Sequence, residues 1–229
     1  MKNMKNILLK DLTTERLIIR KPSMKEQFTL WNILRDETVN RYYFPTPDRI
    51  FVNNNLAKDN IEDLKKARKI FMNQLNDWDR QTPFYEQKIV DIQNGENSQK
   101  FTWSIFLKNG EPIGQITCQP NDEYPDNSEI RDVGWFINPQ YQGQGYATEA
   151  AQAVLKYMFE EVEIEKIITS AAIINPGSWK IMEKLGFERT GVKQSTYFDE
   201  NNNILMCYCY EVDKEKFMSK NVSSQSLTK

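Results

Sequence analysis

Apolar and polar positions alternate along residues 14–22, "TERLIIRKP", which places Leu17 and Ile19 on one face of a predicted strand that Pro22 ends. From Met24 to about Val39 the period lengthens. Phe28, Trp31 and Leu34 recur at helical spacing. "RYYFPTPDR" (41–49) is an aromatic loop punctuated by proline, and residues 53–80 read as a very polar helix. The stretch 73–99 carries no clear period and reads as a short helix with a long loop. From residue 101 the signals sharpen. "FTWSIFLKNGEPIGQITCQP" holds two apolar runs around a hairpin tip at Asn109-Gly110, and "EIRDVGWFIN" follows as a further strand. "YATEAAQAVLKYMFEEV" is an amphipathic helix whose stripe runs through Ala147, Ala150, Ala151, Val154, Leu155, Met158, Phe159 and Val162. "KIITSAAII" is a buried strand. "SWKIMEKLGF" is a short helix with Ser178 as N-cap and Gly186 at the C-cap. "TGVKQSTYF" and "NILMCYCYEV" close the chain as a hairpin. There is no internal repeat, and the order of elements predicts an α/β domain with a mixed sheet.

Composition narrows the chemistry. A chain of 229 residues with 39% hydrophobic content fits one large domain with a real core. Its net charge of −2 lacks the basic balance of a nucleic-acid binder. The three cysteines, Cys118, Cys207 and Cys209, are odd in number and suggest no disulfide framework; they read as structural thiols. The chain has no histidine, which removes the usual Ser-His and Cys-His nucleophiles and the usual metal ligands. No metal is expected, and catalysis falls to carboxylates, hydroxyls, lysine or backbone. Neither a signal peptide nor a membrane-spanning run is seen, so a cytoplasmic location and no membrane partner are the expectation. The main domain is expected over 1–218, with an elaboration at about 40–100 and a polar tail at 219–229.

The sharpest feature is "NPQYQGQGYATEA" (138–150), where Gly143 and Gly145 lie between a strand and a helix. At a helix start the first N–H groups lack intrahelical partners and the dipole is positive. Bare backbone there lets a phosphate approach closely, so the stretch reads as an anion cradle for a pyrophosphate; the plainer alternative is a turn glycine beside a packing glycine. It is no Walker loop, because Tyr146-Ala147 follow Gly145 in place of Lys-Ser/Thr. It is no dinucleotide fingerprint either, because Thr148 stands where the third glycine belongs.

These residues resemble the GNAT superfamily of N-acetyltransferases. "QYQGQGYA" fits its Q/R-x-x-G-x-G/A signature through Gln140, Gly143 and Gly145. "TTERLIIRKP", "DVGWFINPQYQGQGYATEA" and "NPGSWKIMEKLGFERTG" resemble, in order, pieces of its ribosomal-protein N-terminal acetyltransferase (RimJ/RimL-like) branch. The likeness covers about 101–212 and 11–22 and is poor over 40–100. It implies a GNAT-like fold: a mixed, mostly antiparallel sheet of six to seven strands, splayed in the middle and flanked by about four helices.

It further implies acetyl-CoA as co-substrate and a primary amine as acceptor, either a protein N-terminus or a small molecule. The pyrophosphate would rest on the backbone of Gln142, Gly143, Gln144, Gly145, Tyr146 and Ala147. The pantetheine would pair with the strand ending at Phe136 and Ile137, and Asn175 would bond the cofactor arm. An ammonium has no lone pair, so a base must take its proton. Asp132 is the candidate, where the branch commonly carries glutamate; the shorter side chain suggests a water relay, and a purely structural bond is the alternative. Glu129 is the fallback. Many members use a tyrosine just before "EKLGF" as the acid for the leaving thiolate; here that position is Met182. Ser178 takes the role instead, alongside its part as an N-cap. Tyr197 is a further candidate, and Trp135, Trp179 and Phe187 read as packing. Two other classes stand beside the enzyme: a non-catalytic module that binds CoA or acyl-CoA, and an unrelated nucleotide binder.

Overall fold

A computed structural model describes residues 9–40, 42, 53–57, 60–76, 100–198 and 203–225. Among the described residues eight strands form one sheet in the order β1-β2-β3-β4-β5-β6-β8-β7. They are β1 (Leu12–Thr13), β2 (Leu17–Arg20), β3 (Phe101–Leu107), β4 (Pro112–Pro120), β5 (Ile130–Ile137), β6 (Lys166–Ala172), β7 (Glu188–Phe198) and β8 (Ile204–Asp213). The helices are α1 (Met24–Arg35), α2 (Glu37–Asn40), α3 (Ile61–Asn76), α4 (Tyr146–Tyr157), α5 (Pro176–Lys184) and α6 (Lys214–Gln225). The expected GNAT-like architecture is present. The strand count exceeds six to seven because the two-residue β1 pairs through Leu12↔Ile19 and Thr13↔Ile18, too short to leave a pattern in sequence. Helix α6 also reaches into the stretch assigned to a polar tail, through Gln225.

All neighbouring strands are antiparallel except β5 and β6, which run parallel. The Lys108–Glu111 tip joins β3 to β4 as predicted, with Gly110 at φ +89°. Odd-numbered residues of the first strands, among them Leu17, Ile19, Trp103, Ile105, Val133 and Ile137, face α4. The stripe read from the sequence supplies the other half of this core through Ala150, Ala151, Val154 and Leu155. The helix then widens into a π turn, Met158–Val162, that keeps Met158, Phe159 and Val162 buried before Glu163 ends it at φ +60°. Phe159 meets Phe217 of α6 at 5.4 Å between ring centroids.

Helix α1 covers the opposite face. Its start is fixed twice. Ser23 and Glu26 form a capping box, and Glu26 bonds Arg20 of β2 at 2.5 Å, while the Arg20 guanidinium lies 3.9 Å from the Phe106 ring. Leu30, Ile33 and Leu34 of α1 are buried. The Phe28 and Trp31 side chains, the aromatic residues Tyr43 and Phe44, residues 77–99 and the Tyr197 side chain lie outside the described residues.

Candidate active site

The site starts from an incomplete ladder. β4 and β5 pair from Gly114↔Ile137 to Pro120↔Arg131, all of β5 but Ile130. On its other edge β5 meets β6 at two positions, Ile130↔Lys166 and Arg131↔Ile167. Two side chains extend this seam: the Thr169 hydroxyl donates to Val133 O at 3.0 Å, and the Asn121 amide donates to Ile168 O at 2.9 Å. Beyond them the strands diverge. The backbone alternates sides. Glu129 O accepts from Glu165 N–H and Val133 O from Thr169, whereas Gly134 O accepts from Thr117 on β4. Trp135 and Ile137 therefore turn their peptide groups into the gap.

Gly114 sets the end of β5. A Cβ there would lie 2.3 Å from Phe136 O and 2.8 Å from Ile137 Cδ1, so this close approach of two backbones requires glycine. After β5, Asn138 accepts from Gln140 N–H and opens the short 3₁₀ turn Pro139–Tyr141. Gly143 (φ +75°) and Gly145 (φ +84°) then adopt the left-handed conformation. Gly145 is the N-cap of α4 and offers no side-chain cap, so the first N–H groups of the helix stay open to a ligand.

Arg16 closes the loop from outside. Its guanidinium donates to Gln144 O at 2.9 Å and to Glu149 at 2.6 Å, and it lies 4.5 Å from the Tyr146 ring centre. Burial works to raise the Glu149 pKa, but the Thr14 hydroxyl and the Arg16 backbone and side chain hold it below its ordinary value.

These elements enclose a cleft of about 550 Å³. Phe136, Ile137, Gln142, Gly143, Gly145, Tyr146, Ala147, Asn175 and Ser178 all line it. Eight of the nine residues expected to hold a cofactor are thus brought together. The ninth, Gln144, is not on the wall: its side chain donates back to Gln140 O at 3.2 Å and Arg16 takes its carbonyl. Thr38 and Val39 of α2, with Tyr42, close the far side. Sequence reading missed Thr38, Val39 and Arg16. A link across 128 positions between Arg16 and Gln144 leaves no periodic trace.

At α5 one expectation is corrected. The N-cap is Asn175 and Pro176 is the first helical residue, so Ser178 sits inside the first turn. The Ser178 hydroxyl accepts from Asn175 Nδ2 at 3.1 Å. The other end is capped as expected. Phe187 N–H donates to Met182 O and Gly186 N–H to Glu183 O, a Schellman motif. Met182 is buried.

Asp132 stands apart from the cleft wall, on β5 opposite Gln119. Burial pushes its pKa above the ordinary value, while Thr169, Val133 N–H and Gln119 pull the other way. Glu129 belongs to the surface depression of the β4–β5 loop, with Glu123 and Asp126. Trp179 and Phe187 are packing residues, as is Trp135, which also borders the cleft. Cys118 is buried with its thiol pushed up to about 12 by burial, and Cys207 is raised for the same reason. Among the described residues no group of ligands is placed to hold a metal ion, and no helix is long and apolar enough to cross a membrane.

Comparison with known proteins gives the same picture. The acetyltransferase (GNAT) domain family matches residues 16–188. An uncharacterized N-acetyltransferase, YnaD, of Bacillus subtilis is 28% identical over 79% of this chain and 84% of its own. The ribosomal-protein-serine acetyltransferase of Escherichia coli is 23% identical over 48% of this chain and 61% of its own. Spermidine N-acetyltransferase from Vibrio cholerae, solved with CoA and spermine, superposes with a TM-score of 0.61 at 17% identity, covering 90% of this chain and 99% of that one. A strand edge left open by the splay, two left-handed glycines at the start of α4 and a family match over most of the chain agree: this protein belongs to the GNAT acetyltransferase family.

Proposed function

We propose that the cleft binds acetyl-CoA along β5 and the 142–147 loop, and that the acceptor is a primary amine reaching it from the α1–α2 side. The observation that carries this reading is the pairing of two backbone features on one wall. The unladdered peptide groups at Trp135 suit the amides of a pantetheine arm, the Ile137 carbonyl being taken by Gln142 Nε2 at 2.9 Å, and open N–H groups at the start of α4 suit a diphosphate. Bound there, acetyl-CoA supplies an acetyl group activated as a thioester.

The chain's own groups supply the rest. An acceptor ammonium must lose its proton before its nitrogen can attack, since an alkyl amine is mostly protonated at neutral pH. Asp132, its pKa raised by burial, is the proton acceptor, and its distance from the cleft wall calls for a water between it and the amine. Nitrogen bonds to the carbonyl carbon, the carbon–sulfur bond breaks, and the departing thiolate takes up a proton. Ser178 lines the cleft and donates to the sulfur, while Asn175 holds its hydroxyl in place. The Ile137 N–H serves the carbonyl oxygen as negative charge develops. The acceptor classes in view are a protein N-terminus and a small polyamine-like amine; a ribosomal-protein serine is named for one similar protein and spermidine for a neighbour in fold.

Calorimetry with acetyl-CoA, CoA, ATP and NAD on wild type and Gly145→Trp tests the reading. CoA should bind wild type, and a bulky side chain at a left-handed N-cap should weaken it about 100-fold or more. Preference for ATP or NAD, or equal CoA affinity in both proteins, would overturn it. A screen of primary amines by thiol release then identifies the acceptor.

A further inference from the structure

The hairpin turn between β1 and β2 carries Thr14 and Arg16, and both reach α4 across more than 130 positions of sequence. The Glu149 carboxylate is their shared partner. It accepts from the Thr14 hydroxyl at 2.6 Å, from Arg16 N–H at 3.0 Å and from Arg16 Nε at 2.6 Å. Arg16 then donates a further bond, from NH1 to Gln144 O at 2.9 Å.

Two consequences follow from elementary chemistry. In a trans peptide the C=O and the following N–H point in opposite directions. Fixing Gln144 O on Arg16 therefore turns the Gly145 N–H away from Arg16, and Gly145 lines the cleft. The second consequence concerns charge. A carboxylate in the first turn of α4 suits the helix dipole but repels an anion bound at the same end. Arg16 neutralises Glu149 and holds it on the β1–β2 side. The guanidinium itself stands at the positive end of a helix, a placement the helix dipole opposes and an anionic ligand favours.

We propose that Arg16 is a positioning residue for anion binding. It orients the Gln144–Gly145 peptide and cancels the Glu149 charge, so that the loop receives a diphosphate. The proposal rests on the reading that the cleft takes CoA.

Arg16→Gln and Arg16→Lys test it through the dissociation constants of CoA and of pantetheine, which lacks the diphosphate. CoA affinity should fall about 10- to 100-fold in Arg16→Gln. Arg16→Lys keeps the charge but loses the planar fork, and it should fall by a smaller factor of about 3 to 10. Pantetheine affinity should stay within about twofold in both, since neither of its ends meets the loop. Parallel loss of CoA and pantetheine binding would overturn the proposal, because it would mark a general distortion of the site. Equal CoA affinity in wild type and both variants would also overturn it while leaving the cleft assignment intact. A wild type that binds no CoA would sink the cleft assignment and the role of Arg16 with it. Melting curves identify a variant that fails to fold; Arg16→Lys, with its charge retained, then carries the test.

Discussion

The two sides of β5 solve the same problem with different materials. On the proposed donor side the groups on offer are backbone: the unladdered Trp135 peptide and the Ile137 N–H, two left-handed glycines and a first turn of α4 without a side-chain cap. On the proposed acceptor side they are side chains: Thr38, Val39 and Tyr42 at the rim, and Asp132 further along the strand. Backbone contacts suit one invariant ligand, since they are fixed by the fold and offer no side chain to vary. Side-chain contacts suit a ligand that differs from one protein to another, and the proteins this chain resembles include a ribosomal-protein-serine acetyltransferase and, in fold, a spermidine N-acetyltransferase.

This contrast can be tested by altering each side separately. Asp132→Asn should have the largest effect, lowering kcat about 10²- to 10⁴-fold while CoA affinity stays put. Its pKa is raised by burial above the ordinary 3.8, so the folded protein holds this proton to higher pH than the unfolded chain does. Between 3.8 and the raised value the native state holds more protons than the unfolded chain, so this group's contribution to stability declines as pH rises through that window. Asp132→Asn should therefore melt higher than wild type at neutral pH. A variant that melts lower and keeps its kcat would return Asp132 to a structural role.

Gly114→Ala strikes the donor side through the frame. The added Cβ, 2.3 Å from Phe136 O, must push the end of β5 aside. Overpacking of this kind costs about 1–3 kcal/mol, or about 3–9 °C in Tm for a chain of this size. CoA affinity should fall together with Tm. An unchanged affinity in a destabilised protein would show that the end of β5 does not set the donor site.

Glu26→Gln loosens the acceptor side alone. It keeps a capping-box acceptor but removes the charge paired with Arg20, the side chains being 30% (Arg20) and 22% (Glu26) exposed, at a cost of about 1 kcal/mol. The Arg20 guanidinium holds the Glu26 pKa down at about 2, against an ordinary 4.5. A depressed carboxyl stabilises above its unfolded value and loses that contribution as pH falls from 4.5 toward 2. Melting curves of wild type and Glu26→Gln should converge across that interval, with CoA affinity equal throughout. Parallel curves would show that the pair contributes nothing.

Features written in local pattern were legible in the sequence. The α4 stripe, the Asn109-Gly110 tip and the glycine loop each rest on neighbours within a few positions, and each stands where the pattern puts it. Features that depend on distant partners were not. Glu149 in "YATEA" reads as an ordinary first-turn acid until Arg16 meets it, and β1 exists through its register with β2. The misplaced N-cap has another cause. Pro176 at the first helical position was the available signal, and it outranks a hydroxyl two residues later. The displacement of Asp132 from the cleft wall depends on where β6 leaves β5, which no residue type announces.

The short seam between β5 and β6 bears on amide exchange. The strands before the seam and those after it share little backbone pairing, but both give apolar side chains to the one core that α4 completes: Ile19, Trp103 and Val133 from one leaf, Ile167 and Ala171 from the other. A ligand gripped by the first turn of α4 is thus attached to the spine that both leaves lean on. Its protection should spread as a slowing of hydrogen–deuterium exchange in β4 and β6 alike, on both banks of a gap that the backbone itself hardly crosses.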